Sequence, residues 1–140
     1  MTCDVELKVS VEIKIPFHDV DNMGVVWHGH YAKYLEIARC ALLDKIDYNY
    51  PAMQASGYAW PVVDMRIRYP KPLLFEQVIL VEAELREYEN RLLINYVIRD
   101  KNTGQRLTKA YTSQVAVDIA NEEMLLASPA ALIERLNAYA

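Results

Sequence analysis

Residues 5–15, Val-Glu-Leu-Lys-Val-Ser-Val-Glu-Ile-Lys-Ile, alternate apolar and polar side chains almost without a break. A period of two predicts a half-buried strand, and Pro16 closes it. From about residue 30 the period changes. Tyr31, Tyr34, Leu35, Ala38, Leu42 and Ile46 keep helical spacing, while Ile37, Ala41 and Leu43 widen the apolar arc. So broad an arc must be covered on more than one side, which predicts a core helix over about 28–46. Residues 47–59 read as irregular, punctuated by Pro51 and Gly57. Strand patterns then recur at about 60–69, 77–88, 91–100 and 105–118, with hairpin turns at Glu89-Asn90 and Asn102-Thr103-Gly104. Ser128-Pro129 predicts a short terminal helix to about Ala138, with Ser as N-cap and Pro in the first turn.

Tight connections make neighbouring strands antiparallel, so the layout is α+β, a sheet of about five strands curled around one early helix. Such a sheet leaves a far face and edges uncovered, which favours a homo-oligomer, a dimer or a tetramer. At 140 residues the chain reads as one domain over 1–140. A formal charge of −4 argues against general nucleic-acid binding but leaves room for a local basic patch. No apolar run approaches the roughly 18 residues of a membrane span. Cys3 and Cys40 lack the spacing of a metal knuckle or redox pair, so free thiols in a reducing cytoplasm are expected.

The candidate chemistry is concentrated in one window. His18, His28 and His30, the only histidines, lie within residues 16–31 together with Asp19, Asp21 and Gly24. Imidazoles and carboxylates are the groups that exchange protons near neutral pH. A helix beginning near residues 27–30 would aim its first unpaired amides and its positive dipole end at this loop, a setting for a developing oxyanion. Asp21 can face that point as nucleophile or as base for water, and His28 can relay a proton. Asp19 reads as an N-cap, His18 as a solvated side chain, and Glu36 as a helix-face partner of Lys33 or Arg39. The role of His30 stays open. A metal site is the rival reading, but His28 and His30 diverge by about 200° on a helix, and Asp-x-Asp-Asn lacks the other ligands of a calcium loop.

The stretch Asp19-Val-Asp21-Asn-Met-Gly24-Val-Val-Trp-His28-Gly-His-Tyr31, followed by Tyr34-Leu-Glu36-Ile-Ala-Arg39, resembles the signature of hotdog-fold acyl-CoA thioesterases. The similarity is to the hydroxybenzoyl-CoA and Tol–Pal-associated groups, and Val62-Val-Asp-Met-Arg-Ile-Arg-Tyr69-Pro-Lys-Pro72 resembles the strand that follows the helix in them. The resemblance implies a five-stranded sheet around a central helix, dimers with a continuous sheet, and an active site at the subunit interface. It also implies Asp21 as the catalytic carboxylate and the His28 backbone N–H as a donor to the thioester carbonyl, with Gly24, His30 and Tyr31 lining the site. His30 stands where an Asn is usual, and Glu76-Gln77 where Gly-Asp is common.

The expected substrates are acyl-CoA or an acyl carrier protein, with coenzyme A or phosphopantetheine belonging to the substrate and no metal or redox cofactor. Arg66 and Arg68 share one strand face, with Lys71 just beyond, and are the candidate phosphate contacts. Val63, Met65, Ile67 and Tyr69 share the other face and should meet the helix. Trp27 and Trp60 read as core, dimer seam or acyl-tunnel lining. Competing readings are a non-catalytic acyl-CoA-binding module, a metal-dependent hydrolase at the His/Asp cluster, and a hotdog dehydratase, whose His-Phe-Pro segment is absent.

Overall fold

The computed structural model describes residues 3–140. Five strands form one antiparallel sheet: β1 (Lys8–Lys14), β3 (Val62–Arg68), β4 (Val78–Glu87), β5 (Leu92–Asp100) and β6 (Arg106–Gln114), in the spatial order β1-β4-β5-β6-β3. Helix α1 (Tyr31–Asp44) lies in the concave side, the hotdog arrangement that the sequence resemblance implies. A minor sheet joins β2 (Tyr58–Ala59), β7 (Val117–Asp118) and β8 (Glu123–Met124), and helices α2 (Tyr50–Ala55) and α3 (Ala130–Tyr139) complete the fold.

Alternation sets the two faces. Ile79, Val81, Ala83 and Leu85 on β4, and Leu92, Ile94, Tyr96 and Ile98 on β5, turn inward and are at most 2% exposed. Tyr34, Leu35, Ala38 and Leu42 of α1 meet them from above and are equally buried. The helix is seated on β1 and β4, toward one edge of the sheet.

That seat corrects one expectation. Of the β3 residues assigned to the helix, Val63 is 51% and Met65 47% exposed. Only Ile67 joins the core, and Tyr69 reaches just the first turn of α1, packing edge-on against Tyr31 with ring centroids 4.7 Å apart. α1 is too far across the sheet to cover this edge strand.

Other boundaries moved for local reasons. The helix is entered through a 3-10 turn at His28–His30 and ends at Asp44. The irregular stretch after it contains α2, whose first turn is capped by Asn49, its side chain accepting the Ala52 amide at 3.0 Å. The long strand expected at 105–118 divides into β6 and β7. Ser128 does not cap α3: Pro129 takes the extended cap position, and the buried Ser128 hydroxyl has no hydrogen-bond partner among the described residues.

Candidate active site

Residues 20–26 form a small hairpin. Val20 bridges Val26 and Val25 bridges Leu74, which docks the hairpin on the connector leading to β4. Its tip is a turn from Asp21 to Gly24, closed by the Gly24 amide on the Asp21 carbonyl at 3.0 Å and by the Asp21 amide on the Val25 carbonyl at 2.9 Å. Gly24 sits at φ +79°, a conformation that a side chain would strain. The exposed Asp21 carboxylate accepts the Met23 amide at 2.9 Å through Oδ1. It makes no hydrogen bond to any histidine among the described residues.

The other carboxylate of the window behaves differently. Asp19 is 1% exposed. Lys33 Nζ lies 2.7 Å from both of its oxygens, and the Tyr34 hydroxyl donates to Oδ2 at 2.6 Å. His30 Nδ1 approaches to 3.8 Å and the exposed His18 Nε2 to 3.6 Å. Burial would raise the Asp19 pKa, but the hydrogen bonds from Lys33 and Tyr34 outweigh it and hold the carboxyl below its ordinary value. Desolvation, followed by the Asp19 hydrogen bond, pushes the Tyr34 hydroxyl strongly up. The N-cap reading of Asp19 is therefore corrected. It is a buried tie between the short 3-10 turn Phe17–Asp19, which follows β1, and the first turn of α1, which has no side-chain cap. The same tie overturns the pairing expected of Glu36, since Lys33 is taken by Asp19 and Arg39 by Tyr50.

Between hairpin and helix the backbone makes its most informative move. The Trp27 amide donates to the Asp19 carbonyl at 3.1 Å, and the His30 amide to the Trp27 carbonyl at 2.9 Å. The intervening amides of His28 and Gly29 have no acceptor among the described residues. They are orphan donors at the positive end of α1. The Trp27 ring packs beside this turn, 5.1 Å from the His28 ring and 5.4 Å from the His30 ring. A Cβ at 29 would overlap the Trp27 ring, so a side chain there would displace that ring. His28 is exposed, His30 half-buried, and Tyr31 is 2% exposed, with desolvation raising its hydroxyl pKa.

The sequence reading did not assign this role to Trp27 and Gly29. An aromatic two residues before a glycine at a helix start was the available signal. Among the described residues, no three His, Cys, Asp or Glu side chains converge as metal ligands.

On the outer face, Arg66 and Arg68 of β3 stand opposite Tyr111 and Lys109 of β6. They line a groove of about 990 Å³ with Arg99 and Lys109, two basic residues the sequence alone did not connect to them. Arg99 pairs with Glu82 at 2.8 Å. Arg66, Arg68 and Lys109 have no carboxylate within 4 Å among the described residues. Lys71 does not line this groove; it lies past the end of β3, its amide on the Leu107 carbonyl at 3.3 Å.

A sheet-wrapped helix whose entry carries orphan amides beside a carboxylate hairpin defines a thioesterase-type hotdog domain. Residues 15–136 match the thioesterase-like superfamily, and the chain belongs to that family. It is 32% identical over 108 residues to the Bacillus subtilis protein YneP, provisionally named an acyl-CoA thioesterase, a match covering 76% of this chain and 78% of that one. A Thermus thermophilus protein of known structure superposes with TM-score 0.81 at 29% identity, over 94% of this chain and 98% of its own. The DHNA-CoA thioesterase of Staphylococcus aureus gives TM-score 0.78 at 25% identity, over 85% and 80%.

Proposed function

We propose that the protein hydrolyses acyl thioesters of coenzyme A, or of a carrier protein's phosphopantetheine arm, at the junction of the Asp21 hairpin and α1. The observation that carries this reading is the pair of unacceptored amides at His28 and Gly29. Two N–H groups on one turn, at a positive helix end, suit the oxygen of a thioester carbonyl as it gains charge. The hairpin then supplies a carboxylate from the same segment. With Asp21 as base, water gives it a proton and adds to the carbonyl carbon. The C–S bond breaks, and the thiolate takes up a proton relayed through His28. With Asp21 as nucleophile, an anhydride forms and water cleaves it. No step in either route draws on a metal or redox group.

Arg66 and Arg68, joined by Lys109, form the proposed phosphate-contacting strip, with Lys71 nearer the hairpin. The active unit is proposed to be a homodimer joined through β3. This strand is an open edge carrying half-exposed Val63 and Met65, and pairing it with a second copy would extend the sheet and enclose the site. Free Cys3 and Cys40 suit a reducing cytoplasm. No helix among the described residues is long and apolar enough to cross a membrane.

The test is free-thiol release from aromatic, short and long acyl-CoAs, run beside acyl carrier protein substrates. Asp21→Asn keeps an oxygen for the Met23 amide but removes the base. It should lower kcat by about two to four decades with the fold intact. Full activity in that variant would end the mechanism. Acyl-CoA retention with no thiol released from any substrate would favour the binding-module reading.

A further inference from the structure

Helix α1 carries a cation on a side that faces protein. Arg39 is 6% exposed, and its Nε donates to the Tyr50 hydroxyl of α2 at 2.9 Å. Tyr96 of β5 faces the guanidinium as well, and its own hydroxyl is joined to Thr112 Oγ1 of β6 at 2.6 Å. No carboxylate lies within ion-pair distance of Arg39 among the described residues. A guanidinium has five N–H donors and keeps its charge at any working pH. Buried with neutral phenols for company, it lacks an anion.

The neighbours of Arg39 also fix its direction. α1 sits on β1 and β4, whereas Tyr96 and Thr112 belong to β5 and β6. Arg39 therefore reaches away from the helix seat, toward the half-uncovered inner face of β3. Tyr31, two residues past the orphan amides, packs on Tyr69 at the helix-entry end of that face. Arg39 follows Gly29 by ten residues, about 15 Å along the helix axis, and the guanidinium recovers several ångströms of that because helical side chains lean back toward the N-terminus. A chain running from the amides to the guanidinium therefore spans roughly 10 Å.

We infer that Arg39, with Tyr50 and Tyr96, receives an anionic group at the far end of the acyl chain. The substrate class is then an ω-carboxyacyl thioester, the half-thioester of a medium-length dicarboxylic acid, held by a bidentate guanidinium–carboxylate pair. The inference rests on the thioesterase reading above.

Thiol release is compared for suberoyl-CoA and octanoyl-CoA, matched in carbon number, on the wild-type protein and on Arg39→Met, Arg39→Lys and Tyr50→Phe. Wild type should favour suberoyl-CoA by about tenfold or more in kcat/KM. Arg39→Met should lower that ratio by about tenfold, and Arg39→Lys should retain part of it. Should Arg39→Met fail to fold, a reduced ratio in Tyr50→Phe supports the inference and an unchanged one overturns it. No wild-type preference, or parallel loss of both substrates in Arg39→Met, overturns it. A dimer that falls apart in Arg39→Met at an unchanged ratio assigns the guanidinium to a carboxylate of the second copy and also overturns it. If no thioester is cleaved, the hydrolase reading alone fails, and calorimetry with free suberate and octanoate decides. Suberate binding that depends on Arg39 supports the inference, and its absence overturns it.

Discussion

Removing the Asp19 carboxylate should loosen the whole entry to α1. In Asp19→Ala the Tyr34 hydroxyl, buried with its 2.6 Å bond to Oδ2, loses its acceptor. An orphaned buried hydroxyl costs about 1–3 kcal/mol. Lys33, with a side chain 45% exposed, can return to water, so its part is discounted to about 1 kcal/mol. The sum is a loss of about 2–4 kcal/mol, or roughly 6–16 °C in Tm for a chain of this length. Thermal unfolding followed by circular dichroism measures it, and Tyr34→Phe in a double-mutant cycle isolates the hydroxyl's share. The pH dependence has a definite sign. The folded-state pKa of Asp19 is depressed, so its contribution is fully present above the unfolded value of about 3.9 and disappears as pH falls through the folded value. The gap between wild type and variant should therefore hold at neutral pH and narrow below about pH 4. A Tm within 2 °C of wild type at pH 7, or a gap that widens in acid, would refute the account (the threshold being about 0.5 kcal/mol).

Three further outcomes follow from other parts of the molecule. Gly29→Ala should push the Trp27 ring away from the turn that carries the orphan amides and, by disturbing that turn, lower kcat by about one to two decades. Its Tm should change little, because Trp27 is already 51% exposed; unchanged thiol-release kinetics would show that the ring's position does not matter. Arg66→Glu combined with Arg68→Glu should raise KM for acyl-CoA, and salt should weaken binding less in the variant than in wild type; identical salt profiles would remove the strip from substrate binding. Met65→Lys places a charge on the open apolar edge and should shift the protein toward monomer in analytical ultracentrifugation, with activity falling in step; an unchanged sedimentation profile would move the interface elsewhere.

The parts of the fold that were readable share one property: burial on a single face. β1 announced itself through strict alternation, and α1 through an apolar arc wider than a surface helix needs. β3 alternates just as well, yet periodicity says only that two faces differ, not which neighbour covers either one. The helix seat is set by the packing of the whole sheet, so the exposure of Val63 and Met65 was beyond a local pattern. The site divides in the same way. Asp19 and Asp21 are chemically equal in the sequence and two residues apart. Which one turns inward depends on Lys33 and Tyr34, more than a dozen residues later and brought close only by the fold. Arg39 was hidden for a related reason, since a cation on a helix reads as solvated until its surroundings are known. The expected Ser128 cap failed on a local choice that Pro129 settles through its own extended conformation.

The unacceptored amides at His28 and Gly29 have a consequence for how this protein can change. On the reading proposed here, the polarising group belongs to the main chain, so replacing the side chain at 28 leaves it in place. Few substitutions can delete it: a proline at 29, which removes one donor, or a residue that alters the backbone path into α1. Side chains around the turn other than the His28 relay and Trp27 can thus change with a different acyl group while the turn keeps its function. Much of the variation between descendants of such a chain should then appear as changed preference among substrates, with loss of the reaction confined to Asp21, the His28 relay and the few positions that set the backbone path of the turn.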